Sequence, residues 1–212
     1  MSWNADIASA FEARLARARL TNRPQYLRIQ ATHLLESVNA NNRIVGRQLL
    51  RRVITEFPEN FQVKSAWEQL GRSLAEESRL DDSVEAFRKA LLVCSESPTG
   101  NSGTSATIEL QLAEVLIERA GPGDLEESTL LLDIAAKDRQ LLKQFRNVAF
   151  RYQLARTRIA KRSADPAAPK LARSALQIAA ETAPTFSRHP SVGRPDAAQA
   201  EIEELRRIAS KH

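Results

Sequence analysis

KSAWEQLGRSLAEESRLDDSVEAFRKALLVCSES, residues 64–97, is the stretch whose reading decides the fold. Two apolar-periodic runs flank a short acidic turn. Trp67, Leu70, Gly71 and Leu74 share one face of the first run, because residues three and four apart are neighbours on a helix. Val84, Phe87, Ala90 and Leu91 do the same on the second. A glycine inside a helix costs about 1 kcal/mol against alanine. Gly71 therefore implies that something must approach its backbone closely. Asp82 and Glu85 have the spacing of a capping box at the start of the second helix.

The same periodicity extends in both directions. Residues 4–20 carry Ile7, Ala10, Phe11, Leu15 and Ala18 on one stripe, with Arg14, Arg17 and Arg19 outside it. After a break at 21–24, the pattern predicts helices over 24–38 (Leu27, Ala31, Leu34, Leu35) and 43–56 (Val45, Leu49, Leu50, Val53), with a turn at 39–42. Residues 95–107, SESPTGNSGTSAT, have no periodicity and read as an exposed, mobile loop open to proteolysis. Helices follow over 105–119 and from Asp124 onward, separated by Gly121-Pro122-Gly123. Residues 139–162 read as one long helix with Phe145, Tyr152, Ala155 and Ile159 inward. Asp165-Pro166 opens a helix over 167–183, since Pro suits a first helical turn. A loop at 187–195 precedes a last helix capped by Asp196 and Gln199, with Ile202, Leu205 and Ile208 on one side.

The composition agrees. The chain is 42% hydrophobic but only 5% aromatic, and no run has the β-branched and aromatic content that a strand requires. Each helix pair has one face too apolar for water and too small to be a core, so neighbouring pairs must stack. The fold class expected is all-α, an α-solenoid of stacked antiparallel helix pairs with about ten helices.

Trp67, Leu70-Gly71, Phe87, Ala90 and Pro98 together resemble the tetratricopeptide repeat, W-x2-L-G-x2-Y followed by A-x3-F and a closing Pro. Leu74 stands for the Tyr and Ser83 for the first Ala of the second helix. Leu112-Ala113 and Leu154-Ala155 occupy the place of Leu70-Gly71 in two further pairs. The resemblance divides one domain, 1–212, into an N-terminal helix at 1–22, repeats at 23–58, 59–98, 105–137 and 139–184, and a capping helix at 195–212. It also implies an interaction scaffold whose first helices line a concave face. The outward residues of those helices are then the partner contacts: Ser65, Glu68 and Arg72, Gln111 and Glu114, and Tyr152, Gln153 and Arg156. Chaperone-binding members clamp a carboxylate with Lys, Asn and Arg; Glu68 and the lack of a matching Asn argue against that clamp here.

Other chemistry is not legible. His33, His189 and His212 are far apart, Cys94 is the single cysteine, and there is no phosphate-binding loop or nucleophile elbow. Cys94 reads as a buried structural thiol. The expectation is a protein without enzymatic activity, cofactor or metal. No apolar run approaches the ~20 residues that span a membrane, and the N-terminus has no secretory pattern, so a cytoplasmic, bacterial adaptor is expected. The net charge is +5, with a pI near 9.7. Acids dominate 109–138 and bases dominate 139–173. Three accounts of this reversal stand open: attraction between neighbouring repeats, a basic groove for an acidic protein or peptide, and a nucleic-acid surface. The leading function is a non-catalytic protein-binding scaffold. The alternatives are a nucleic-acid-binding protein and a regulatory or immunity-type inhibitor.

Overall fold

A computed structural model describes residues 2–210. Regular structure among them is entirely helical, with eleven α-helices packed in consecutive pairs, as expected of an all-α helical repeat. The chain forms two compact units, Met1–Ile108 and Glu109–His212. The last two residues of the expected capping segment, 211 and 212, lie outside the described residues.

The first unit contains α1 (Ala5–Arg17), a 3-10 turn (Leu20–Asn22), α2 (Arg23–Leu35), α3 (Ala40–Glu56), α4 (Gln62–Ala75) and α5 (Leu80–Glu96). α2 pairs with α3 and α4 with α5, while α4 also rests on α2 and α3. Leu27, Ala31, Leu50, Val53 and Ala66 are fully buried at these contacts. Burying such side chains is worth about 1.5–3 kcal/mol for each large one, which is what drives the stacking. Gly71 is needed where it stands: a Cβ there would sit 3.0 Å from the Phe87 ring. Ser83 Oγ donates to the Gly71 carbonyl at 2.8 Å in the same buried spot.

Two local expectations change here. Asn39 caps α3 by accepting from the amides of Asn41 and Asn42, so α3 starts three residues before the expected 43. The capping box of Asp82 and Glu85 does not form. α5 begins at Leu80, and Asp82 instead accepts from the Arg79 guanidinium at 2.9 Å.

The second unit contains α6 (Ile108–Arg119), α7 (Asp124–Ala135), α8 (Arg139–Gln144), α9 (Arg146–Arg162), α10 (Ala168–Ala180) and α11 (Gln199–Ala209). Ser128 Oγ donates to the carbonyls of Asp124, at 2.6 Å, and Ala113, at 3.3 Å, joining α7 to α6 as Ser83 joins α5 to α4. α9, α10 and α11 close around Phe150, Leu154, Ala172, Ala175, Leu205 and Ile208. Ser78, Ala120 and Ala164 take left-handed backbone just beyond α4, α6 and α9. Such residues end helices although they lack glycine's freedom.

The expected long helix over 139–162 is broken at Phe145. The Asn147 amide donates to the Gly193 carbonyl at 2.9 Å, and Phe145 packs against Phe186. A segment distant in sequence thus occupies the break. Phe150, not Phe145 or Tyr152, enters the core; the latter two are half-buried. α11 is capped by Glu201, which accepts from the Ala198 amide, rather than by Asp196 and Gln199.

Gly71→Ala tests the close approach. Overpacking costs about 1–3 kcal/mol, and the helix regains about 1 kcal/mol in propensity. A net loss of about 1 kcal/mol in urea denaturation is expected; an equal or higher midpoint contradicts the contact.

Candidate functional site

The N-terminal half of α4 is closed by its own chain. Lys64 is 1% exposed, and its Nζ donates to Thr99 Oγ1 at 2.9 Å, the Gly100 carbonyl at 2.7 Å and, more weakly, Ser97 Oγ at 3.4 Å. Ser65 Oγ donates to the Gly103 carbonyl. The Glu68 carboxylate accepts from the Ser105 amide at 3.1 Å and from the Ser105 hydroxyl. Residues 97–105 are therefore a strap across α4. This corrects two expectations. The 95–107 segment is anchored at its middle rather than free, and Ser65 and Glu68 are buried structural residues rather than outward partner contacts. A polar group removed from water costs free energy unless it is hydrogen-bonded, so side chains that bond the strap are not open to a partner.

The C-terminal half of α4 is open. Gln69, Arg72 and Ser73 of α4 with Glu76 just past its end, and Thr32 and Leu35 of α2 with Glu36 just past its end, line a groove of about 410 Å³. Thr32 Oγ1 donates to the Arg28 carbonyl at 3.0 Å and to Gln69 Oε1 at 3.2 Å, which ties the two helices together. Arg28 is held below its ordinary pKa by burial, with Glu68 pulling the other way, and it donates to Gln62. Arg72, Glu36 and Glu76 are exposed, and their side chains make no hydrogen bond or ion pair among the described residues. Of the three expected contacts on α4, Arg72 alone faces open space.

In the second unit, Gln111, Glu114, Tyr152 and Gln153 are half-buried and Arg156 is exposed. Arg156 lies over the Tyr152 ring at 5.8 Å, within cation–π range. Glu114 is already engaged: Arg151 bridges it, at 2.6 Å, and Glu201, at 2.7 Å. Burial pushes the Glu114 carboxyl above its usual range and Arg151 offsets this only in part. Burial alone would lower Arg151, but Glu114 and Glu201 outweigh it and hold the guanidinium above its ordinary value. Arg158 pairs with Glu204 at 2.8 Å. Arg151, Arg158 and Lys161 of the basic stretch thus meet carboxylates on α6 and α11.

Lys64 and the strap are what residue-by-residue reading missed. The available signal was a lysine one helical turn before a glutamate, beside a loop rich in hydroxyls and carbonyls. Among the described residues no three His, Cys, Asp or Glu are grouped to hold a metal ion, and no helix is long and apolar enough to cross a membrane. In comparison with known proteins, the chain matches no family model, no curated protein and no solved structure.

Two outcomes follow from this geometry. With a broad-specificity protease, the wild-type strap is expected to survive, and the Lys64→Met, Glu68→Ala double variant is expected to be cut between 97 and 107. Equal cleavage of both proteins would show that the strap is not held. For Glu114, the raised pKa means that the folded state binds its proton more tightly than the unfolded state. Its contribution is present at low pH and is lost as pH rises from 4.5 through the raised value. Urea midpoints of the wild type and Glu114→Gln, compared across that window, are expected to show the fall in the wild type only.

Proposed function

We propose that this protein is a non-catalytic, cytoplasmic scaffold that holds an extended peptide segment of a partner in the α2–α4 groove. The observation that carries this reading is Arg72, an exposed arginine whose side chain makes no hydrogen bond or ion pair among the described residues, in a groove whose two helices are tied together by Thr32 and Gln69. Gln69 spends its oxygen on Thr32 and keeps its amide N–H groups to donate to a peptide carbonyl. Leu35 offers an apolar contact, and Arg72 suits an acidic side chain. Glu36 and Glu76 at the rim would exclude peptides that are acidic throughout, so one acid among neutral or basic residues is the fitting chemistry.

The paired-helix architecture supports a tetratricopeptide-like reading, in which consecutive first helices present the binding face. The strap shortens that face to its open half in this unit. A nucleic-acid function draws less support, because Arg151, Arg158 and Lys161 already face carboxylates. A charge paired within the protein releases little counterion on meeting phosphate.

Arg72→Glu is the test. Proteins captured from native lysate by the wild type and identified by mass spectrometry are expected to fall by about tenfold or more with the variant, at an unchanged melting temperature. Undiminished capture would remove the groove from the function.

A further inference from the structure

A second groove lies between α1 and α2. Phe11, Ala18, Tyr26 and Ile29 form its apolar part, Arg14, Arg17 and Gln30 its polar part, and its volume is about 490 Å³. Tyr26 is 44% exposed and Ile29, one turn on, is 40% exposed. Glu12 pairs with Arg52, and Arg23 donates to the carbonyls of Ala16 and Ala18. The side chains of Arg14 and Arg17 make no hydrogen bond or ion pair among the described residues, and no acid is among the residues that line the groove. An apolar trough with two uncompensated arginines is a surface built for an apolar ridge with acids beside it.

The chain carries such a ridge itself. α7 turns Ser128, Leu131 and Leu132 inward and leaves Leu130 65% and Ile134 46% exposed. Glu126 lies four residues before Leu130 and Asp133 three after it, so all four side chains share one stripe. Both acids are exposed, and their side chains make no hydrogen bond or ion pair among the described residues. Two exposed apolar side chains flanked by two free acids match, in number and sign, what the α1–α2 groove offers.

We propose that copies of this chain associate head to tail, the α7 ridge of one copy seated in the α1–α2 groove of the next. Leu130 and Ile134 meet Tyr26, Ile29 and Phe11, while Glu126 and Asp133 meet Arg14 and Arg17. The two surfaces differ, so the contact is heterologous and builds a ring or an open chain rather than a twofold dimer. It uses no residue of the α2–α4 groove and does not depend on the scaffold reading.

Sedimentation velocity of the full chain over a concentration series reads this out. The wild type is expected to associate reversibly. Arg14→Glu with Arg17→Glu, and separately Glu126→Arg with Asp133→Arg, are each expected to weaken association by about tenfold or more. An equimolar mixture of the two double variants restores opposite charges across the contact and is expected to regain association to within about threefold of the wild type. A wild type monomeric throughout, variants that associate unchanged, or a mixture that stays monomeric would each overturn the proposal. So would a monomer whose α1–α2 groove takes an acidic amphipathic peptide instead. Arg72→Glu leaves this association intact, so failure of one proposal is distinguishable from failure of the other.

Discussion

The close approach of α5 to α4 is the constraint on which the first unit depends. Two helices can come this near only where one of them has no side chain in the way. Gly71 supplies that gap, the Phe87 ring fills it, and Ser83 bonds the carbonyl the ring leaves accessible. Hydrophobic burial alone would bring the helices together in many registers. A gap of one Cβ, met by one ring and one hydroxyl, selects a single one. In the second unit the same serine device recurs at Ser128 and Ala113, with alanine in place of glycine and a longer bond.

Charge has two different uses in this molecule. Between α9 and its neighbours it is structural. Arg151 and Arg158 are half-buried, and each lies against carboxylates that burial would otherwise penalise. Breaking such a pair from one side leaves the other charge uncompensated, which costs more than the pair itself contributes. Arg14 and Arg17 on α1 and Arg72 on α4 are exposed, and their side chains make no hydrogen bond or ion pair among the described residues, so they cost the fold little and remain available. Arg151 and Arg158 are therefore spent on the fold, whereas Arg14, Arg17 and Arg72 are not.

Helix existence was legible because apolar spacing follows directly from which faces meet. Leu27, Leu50, Leu70, Phe87 and Leu205 all lie in the core where their periodicity placed them. Helix ends were less legible. α3 is capped by the Asn39 side chain and α11 by the Glu201 side chain, while Arg79 precedes α5 without a side-chain cap, so a motif such as Asp82 with Glu85 is a weak guide to where a helix begins. The break at Phe145 could not be read locally at all, since it is made by Gly193 and Phe186 from another part of the chain. The site was half legible. Arg72 lies on the open side as the helical wheel requires, but Ser65 and Glu68, on the same wheel face, are covered by a loop that periodicity cannot see.

That loop changes what the binding face can be. Residues 97–105 contain glycine, serine and threonine and would bury almost nothing on their own, so hydrophobicity cannot hold them in place. They are held by a buried ammonium and a buried carboxylate four residues apart on α4. Lys64 donates only to neutral oxygens, and desolvating an ammonium costs free energy unless those bonds are made. The strap and the two charges therefore require each other: without the loop the charges return to water, and without the charges the loop has nothing to grip. An arrangement of this kind is two-sided, either closed or released as a whole, because partial opening leaves an ion buried without its donors or acceptors. The open half of the α4 face is the part that this coupling does not reach, which is why Arg72, two turns beyond Ser65, keeps its freedom.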